Sequence, residues 1–185
     1  MASIQRKGYG QVEPNHLSAQ YTGQIYAQLP AATVSGSTKT PINQLENGQF
    51  LRYDYAKGVA TTGNGDGEWM LVFNEVKLYD ERHQGYKDFC MKASDMSDGF
   101  IYPRLLKTNV GDLFTTNMFG VASTGMDSTQ AAATTLVVND YVTVTPATGI
   151  LAKVSEKPAS GMVFQVVKEY TLADKQVAVK LQRIQ

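Results

Sequence analysis

The sequence predicts a mainly β protein: a compact antiparallel β-barrel or sandwich preceded by an extended N-terminal arm. Three observations lead there. From residue 44 onward, apolar side chains recur with period two between short clusters of Gly, Asn and Asp. Two stretches near the C-terminus read as hairpins, and nothing in this part carries an amphipathic helical pattern of three turns. The 185 residues suffice for one sizeable domain, divided here into an arm over 1–45 and a β-rich domain over 46–185.

Residues 1–45 are rich in Gln, Ser, Thr, Gly and Pro, with isolated tyrosines at Tyr9, Tyr21 and Tyr26. Pro14, Pro30 and Pro41 punctuate the stretch, and VSGSTKT at 34–40 has the composition of a flexible connector. Asn15 is placed to cap a short helix through Leu17, Tyr21 and Ile25, but Gly23 and Pro30 oppose it. A polar stretch with scattered aromatics buries too little apolar surface to fold alone, so it reads as an arm lying on another surface.

The strands follow in order. In FLRYDY at 50–55, Leu51, Tyr53 and Tyr55 fall on one face and Arg52 and Asp54 on the other. WMLVF at 69–73 is apolar on both faces, as a central strand covered on both sides should be, and it continues in some form to Tyr79. YVTVT at 141–145 and ILAKV at 150–154 flank the turn PATG, giving a hairpin. MVFQVV at 162–167 and QVAVKL at 176–181 flank ADK, giving a second. Trp69, Leu71, Phe73, Val142, Val144, Phe164, Val166 and Val179 are the expected core. LENGQF at 45–50, VGDLF at 110–114 and VNDYV at 138–142 each set a polar tight turn before a strand start. Residues 61–67 and 122–135 read as exposed loops, and 63–67 as a simple hairpin loop.

Seventeen basic and seventeen acidic side chains cancel and are scattered, which argues against a nucleic-acid or polybasic membrane surface. Aromatic stacking on bases would need a basic groove that this balance does not offer. Cys90 is the single cysteine, so an intramolecular disulfide and a cysteine-based metal cluster are excluded; it reads as a small buried residue. The start of the chain lacks a signal-peptide apolar region, and no apolar run has the length of a membrane span. No metal or cofactor is expected: Asn64, Asp66 and Glu68 lack the further oxygen ligands of a calcium loop, and the Gly-rich stretch lacks a phosphate loop's Lys-Ser/Thr ending. Asp80, Glu81 and His83 crowd together as general acid–base chemistry requires, but no nucleophile elbow accompanies them. A charged strand end is the better reading there, and a non-enzymatic protein the better reading of the whole.

Four stretches carry a resemblance: KGYGQVEPNHLSAQ at 7–20, NGQFLRYDYA at 47–56, MLVFNEVKLYD at 70–80 and YPRLLKTNVGD at 102–112. Together with the hairpin ending in VKLQRI at 179–184, they resemble head decoration (auxiliary, or cement) proteins of tailed phages. The resemblance implies a structural protein made in the host cytoplasm and bound to the outside of the capsid. Its partners would be the major capsid protein and further copies of itself, as a trimer or another oligomer, without nucleic acid or membrane. Arg6, Tyr9, His16, Tyr21 and Tyr26 are the expected capsid contacts on the arm. The alternatives are a head-fibre, tail or baseplate component of the same virion, and a small hydrolase using Asp80, Glu81 and His83.

Overall fold

In the computed structural model, residues 1–13, 28–63, 67–74, 90–120 and 132–185 are described. The fold is mainly β, with antiparallel sheets, as the period-two pattern predicts. The strands are β1 (Ala2–Ile4), β2 (Ala32–Ser35), β3 (Thr38–Pro41), β4 (Gln44–Leu45) and β5 (Phe50–Asp54). They continue with β6 (Val59–Thr61), β7 (Trp69–Val72), β8 (Met91–Lys92), β9 (Leu105–Leu106) and β10 (Leu113–Thr116). The last five are β11 (Thr134–Leu136), β12 (Tyr141–Val144), β13 (Leu151–Val154), β14 (Val163–Thr171) and β15 (Val177–Arg183). A single 3-10 turn at Ala93–Asp95 is the helical element among the described residues.

Two sheets face each other across the main core. One has the order β10-β15-β14-β12-β13 and the other β6-β5-β7-β9. The larger sheet contributes Phe114, Val142, Val144, Leu151, Phe164, Val166, Val179 and Leu181; the smaller contributes Phe50, Trp69, Leu71 and Leu106. At the centre, Phe50, Phe114 and Phe164 meet pairwise, with ring centroids 5.3–6.1 Å apart in tilted and edge-on arrangements, the geometry aromatic quadrupoles prefer. All eight expected core residues lie in this cluster, Phe73 as a partly buried neighbour.

The smaller sheet is covered on its other face too. Leu51, Tyr53, Ala60, Met70, Val72 and Leu105 form a second core under Ala31, Leu45, Ala93 and Ile101. That double covering is why 69–72 is apolar at every position: Trp69 and Leu71 point into one core, Met70 and Val72 into the other. In β5 the same alternation sends Phe50 one way and Leu51 and Tyr53 the other. Tyr55 lies just beyond the strand end and is 63% exposed, with its ring 5.4 Å from that of Tyr53.

Both hairpins form as predicted. Tyr141 to Val144 pairs with Val154 to Leu151, and β14 pairs with β15 through a register shift between Val166 and Lys168. The three polar turns before strands each contain a residue in the left-handed region, Gly48 (φ 93°), Gly111 (φ 100°) and Asn139 (φ 75°), which is why Gly or Asn stands there.

Four expectations are corrected. Residues 63–67 do not close a hairpin, since β6 and β7 pair with opposite sides of β5, and Thr61, expected in an exposed loop, is a buried residue of β6. The 34–40 stretch is no connector but the tip of the β2–β3 hairpin, turned at Gly36 (φ 58°). Thr134 and Thr135 are not loop; they belong to β11, which pairs with β1. Most consequential, residues 1–13 and 28–45 do not form a separate arm. Ala2, Ile4 and Val12 are in the main core, Ala31 and Leu45 in the second. The physical reason is that strand partners far along the chain supply the apolar surface and hydrogen bonds this polar stretch lacks by itself.

Candidate functional site

Among the described residues, a polar network links residues 1–13 to distant parts of the chain, which form the groove that receives them. β1 enters it in antiparallel register with β11, Ala2 opposite Leu136, Ser3 opposite Thr135 and Ile4 opposite Thr134. Alternation buries Ala2 and Ile4 and leaves Ser3 exposed. Beyond β1, Arg6 is 2% exposed. Its Nη1 donates to Glu46 Oε2 at 2.8 Å and to the Gly8 carbonyl at 2.9 Å, and its Nη2 donates to the Gly120 carbonyl at 3.3 Å.

Glu46, itself buried, sits in the turn before β5. Its Oε2 also accepts the Gly10 N–H at 2.6 Å, and its Oε1 accepts from Gln44 Nε2 at 3.2 Å. A buried carboxylate is tolerated only with such pairing and hydrogen bonding. Gly10 and Gly48 are both pressed against Met118: a Cβ on Gly10 would lie 2.1 Å from its Sδ, and one on Gly48 2.7 Å from its Cβ. Glycine at these positions lets two strands of backbone close over one methionine.

The segment leaves along the edge of the larger sheet. Gln11 N–H donates to Asn117 Oδ1 at 2.8 Å, its carbonyl accepts Thr116 Oγ1 at 2.6 Å, and its Nε2 reaches Asp174 Oδ2 at 3.0 Å. Val12 bridges to Thr116, and Glu13 N–H donates to the Thr115 carbonyl at 2.9 Å. Residues 11–13 therefore extend the sheet beyond β10 and cover its edge.

Of the five expected contact residues, Arg6 and Tyr9 are thus buried in the body rather than displayed on an arm, Arg6 against Glu46 and two backbone carbonyls and Tyr9 beside Cys90. His16, Tyr21 and Tyr26 lie outside the described residues, as do Asp80, Glu81 and His83. Cys90 is half-buried, and burial pushes its thiol pKa up, outweighing the hydrogen bond with Tyr9 and the charge of Lys92. A thiol with a raised pKa is a poor nucleophile, although Cys90 is only half-buried and not the buried residue expected. Glu46, Gln11, Asn117 and Asp174 gave no sequence signal, since the partners that define them are 36 to 163 residues away.

Two open clefts mark the surface. One of about 460 Å³ lies between β11 and β13, lined by Thr134, Thr135, Leu151 and Lys153; the other, about 530 Å³, lies between β1 and the outer part of the β14–β15 hairpin. Their charged side chains are already engaged, Lys153 with Asp140 at 2.6 Å and Glu169 with the N-terminal ammonium at 2.6 Å. Among the described residues, no group of three His, Cys, Asp or Glu side chains is placed to hold a metal ion, and no helix is long and apolar enough to cross a membrane. What the groove can do is hold an extended polypeptide by strand pairing, one buried charge pair and backbone hydrogen bonds. The chain matches no family model, no curated protein and no solved structure.

Proposed function

We propose that this chain is a non-enzymatic structural subunit of a tailed-phage particle, bound to the outside of the capsid as a decoration or cement protein. The observation that supports this reading is where the polar chemistry is spent. The groove around Arg6 and Glu46 joins distant parts of the chain and pairs the two charges with each other inside the body. The four stretches resembling head decoration proteins contribute to the same framework: residues 7–13 lie in the groove, 50–54 and 70–72 in the smaller sheet, and 105–106 at its edge. A rigid body of this kind suits repeated attachment to a symmetric lattice, where many modest contacts add.

The test is to mix the purified protein with heads that lack it and sediment them. Co-sedimentation at a copy number comparable to the major capsid band supports decoration, whereas a few copies per particle indicates the head-fibre, tail or baseplate alternative. With no net charge on the chain, attachment should weaken only slightly between low and moderate salt.

A further inference from the structure

Residues 1–13 make their contacts almost entirely with chain far away in sequence. Arg6 meets Glu46 and Gly120, Lys7 N–H meets Gln176, Gln11 meets Asn117 and Asp174, and β1 meets β11. Within the segment, the Arg6 to Gly8 hydrogen bond is local. The segment is therefore an inserted strand whose structure comes from the groove. The groove needs it in return: withdrawing it uncovers Met118, opens the edge of β10, and leaves the Glu46 carboxylate in its pocket without a cation.

Fourteen residues, 14–27, join this insert to the rest of the chain. Fully extended, a stretch of that length spans roughly 46–50 Å at 3.3–3.6 Å per residue. A compact domain of this size has a radius of gyration of about 16 Å and so a diameter of roughly 40 Å. The connecting sequence is long enough to reach an adjacent copy.

We propose that the groove accepts residues 1–13 of a second copy in place of its own, so that neighbouring subunits are tied by strand exchange. Every contact is the same whichever copy supplies the segment: Arg6 of one copy meets Glu46 of the other, and Ser3 of one lies opposite Thr135 of the other. The balance between the two arrangements is then set by local concentration, not by new chemistry. The partner is a second copy of this chain because it is the one molecule certain to present the β1 pattern, Arg6 and the tightly packed Gly10 in this order. The proposal stands apart from the capsid reading, since it needs only two copies.

Ser3 and Thr135 are exposed and directly opposite in antiparallel register. Opposed residues of such a pair have Cα separations of about 4.5–5.5 Å, within the range a disulfide spans. In a Cys90→Ser background, the single variants Ser3→Cys and Thr135→Cys are mixed, unfolded, refolded together at increasing protein concentration and oxidised. Strand exchange gives a covalent heterodimer on a non-reducing gel, well above either variant refolded alone and rising with concentration. The double variant Ser3→Cys/Thr135→Cys reports both arrangements in one chain, as a cross-linked monomer or as cross-linked multimers. If it yields the monomer alone at every concentration while the mixed single variants give no heterodimer, the insert is strictly intramolecular and the proposal is overturned.

Discussion

Removing one partner of the Arg6–Glu46 pair probes the feature on which the fold of the N-terminal region depends. In Arg6→Met the apolar stem is approximately kept, while the bonds to Glu46 Oε2, the Gly8 carbonyl and the Gly120 carbonyl are lost. Glu46 then remains buried, holding only the Gly10 N–H at 2.6 Å and Gln44 Nε2 at 3.2 Å. Breaking a buried pair by deleting one member usually costs about 3–5 kcal/mol, because an uncompensated charge is left behind. The two remaining donors place this case near the lower end, about 3 kcal/mol, or roughly 6–12 °C in Tm for a chain of this size. Glu46→Gln should cost less than Arg6→Met, since an amide retains an acceptor for Gly10. The double variant Arg6→Met/Glu46→Gln should recover a large part of the loss, because no buried charge remains. Urea unfolding of the four proteins closes the cycle. A loss below about 1 kcal/mol in Arg6→Met, or strict additivity in the double variant, would refute the argument that a desolvated ion pair seats the segment.

Three further outcomes are expected. Phe164→Ala should cost about 3–5 kcal/mol, as it removes the ring that meets both Phe50 and Phe114, while Phe73→Ala, at a partly buried position, should cost clearly less; equal losses by chemical denaturation would show the core misassigned. Gly149→Ala should cost at least about 2 kcal/mol, combining a positive φ of 70° with a Cβ 2.2 Å from the Phe50 carbonyl oxygen, whereas Gly36→Ala, at φ 58° in open space, should cost about 1 kcal/mol; the order of the two urea midpoints is the check. Partial burial pushes Asp140 up, but the hydrogen bond from Lys153, the Val137 N–H and the Lys153 charge together bring its pKa below the ordinary value of 3.8. A depressed folded-state value means that this stabilisation is complete above the ordinary value and is lost as pH falls through the folded one. Asp140→Asn should therefore flatten the decline in stability below about pH 4, and an unchanged acid limb would count against it.

The legible parts of the fold are those whose cause is local. Alternation over β12 and β13 is visible in YVTVT and ILAKV, and the turn between them is marked by Pro146 and Gly149. The positive-φ positions Gly48, Gly111 and Asn139 announce their turns through residue type alone. The continuous apolar run at β7 likewise signals two covered faces before either cover is known. The N-terminal segment is illegible for the opposite reason. Ile4, Tyr9 and Val12 are too sparse to mark a core element, and Arg6 looks like an exposed base until Glu46 is brought beside it. The 62–68 crossing is hidden similarly, since spacing tells where β6 ends and β7 begins but not that they flank β5 on opposite sides.

The proposal that this chain decorates the outside of a phage capsid is tested most directly by a cryo-EM map of the particle proposed to carry it. The account predicts density for the two-sheet body on the outer surface, repeated at equivalent lattice sites, with residues 1–13 seated in a groove beside Glu46. A map that places the body at the tail or a single vertex, or a particle that lacks the protein altogether, would contradict it.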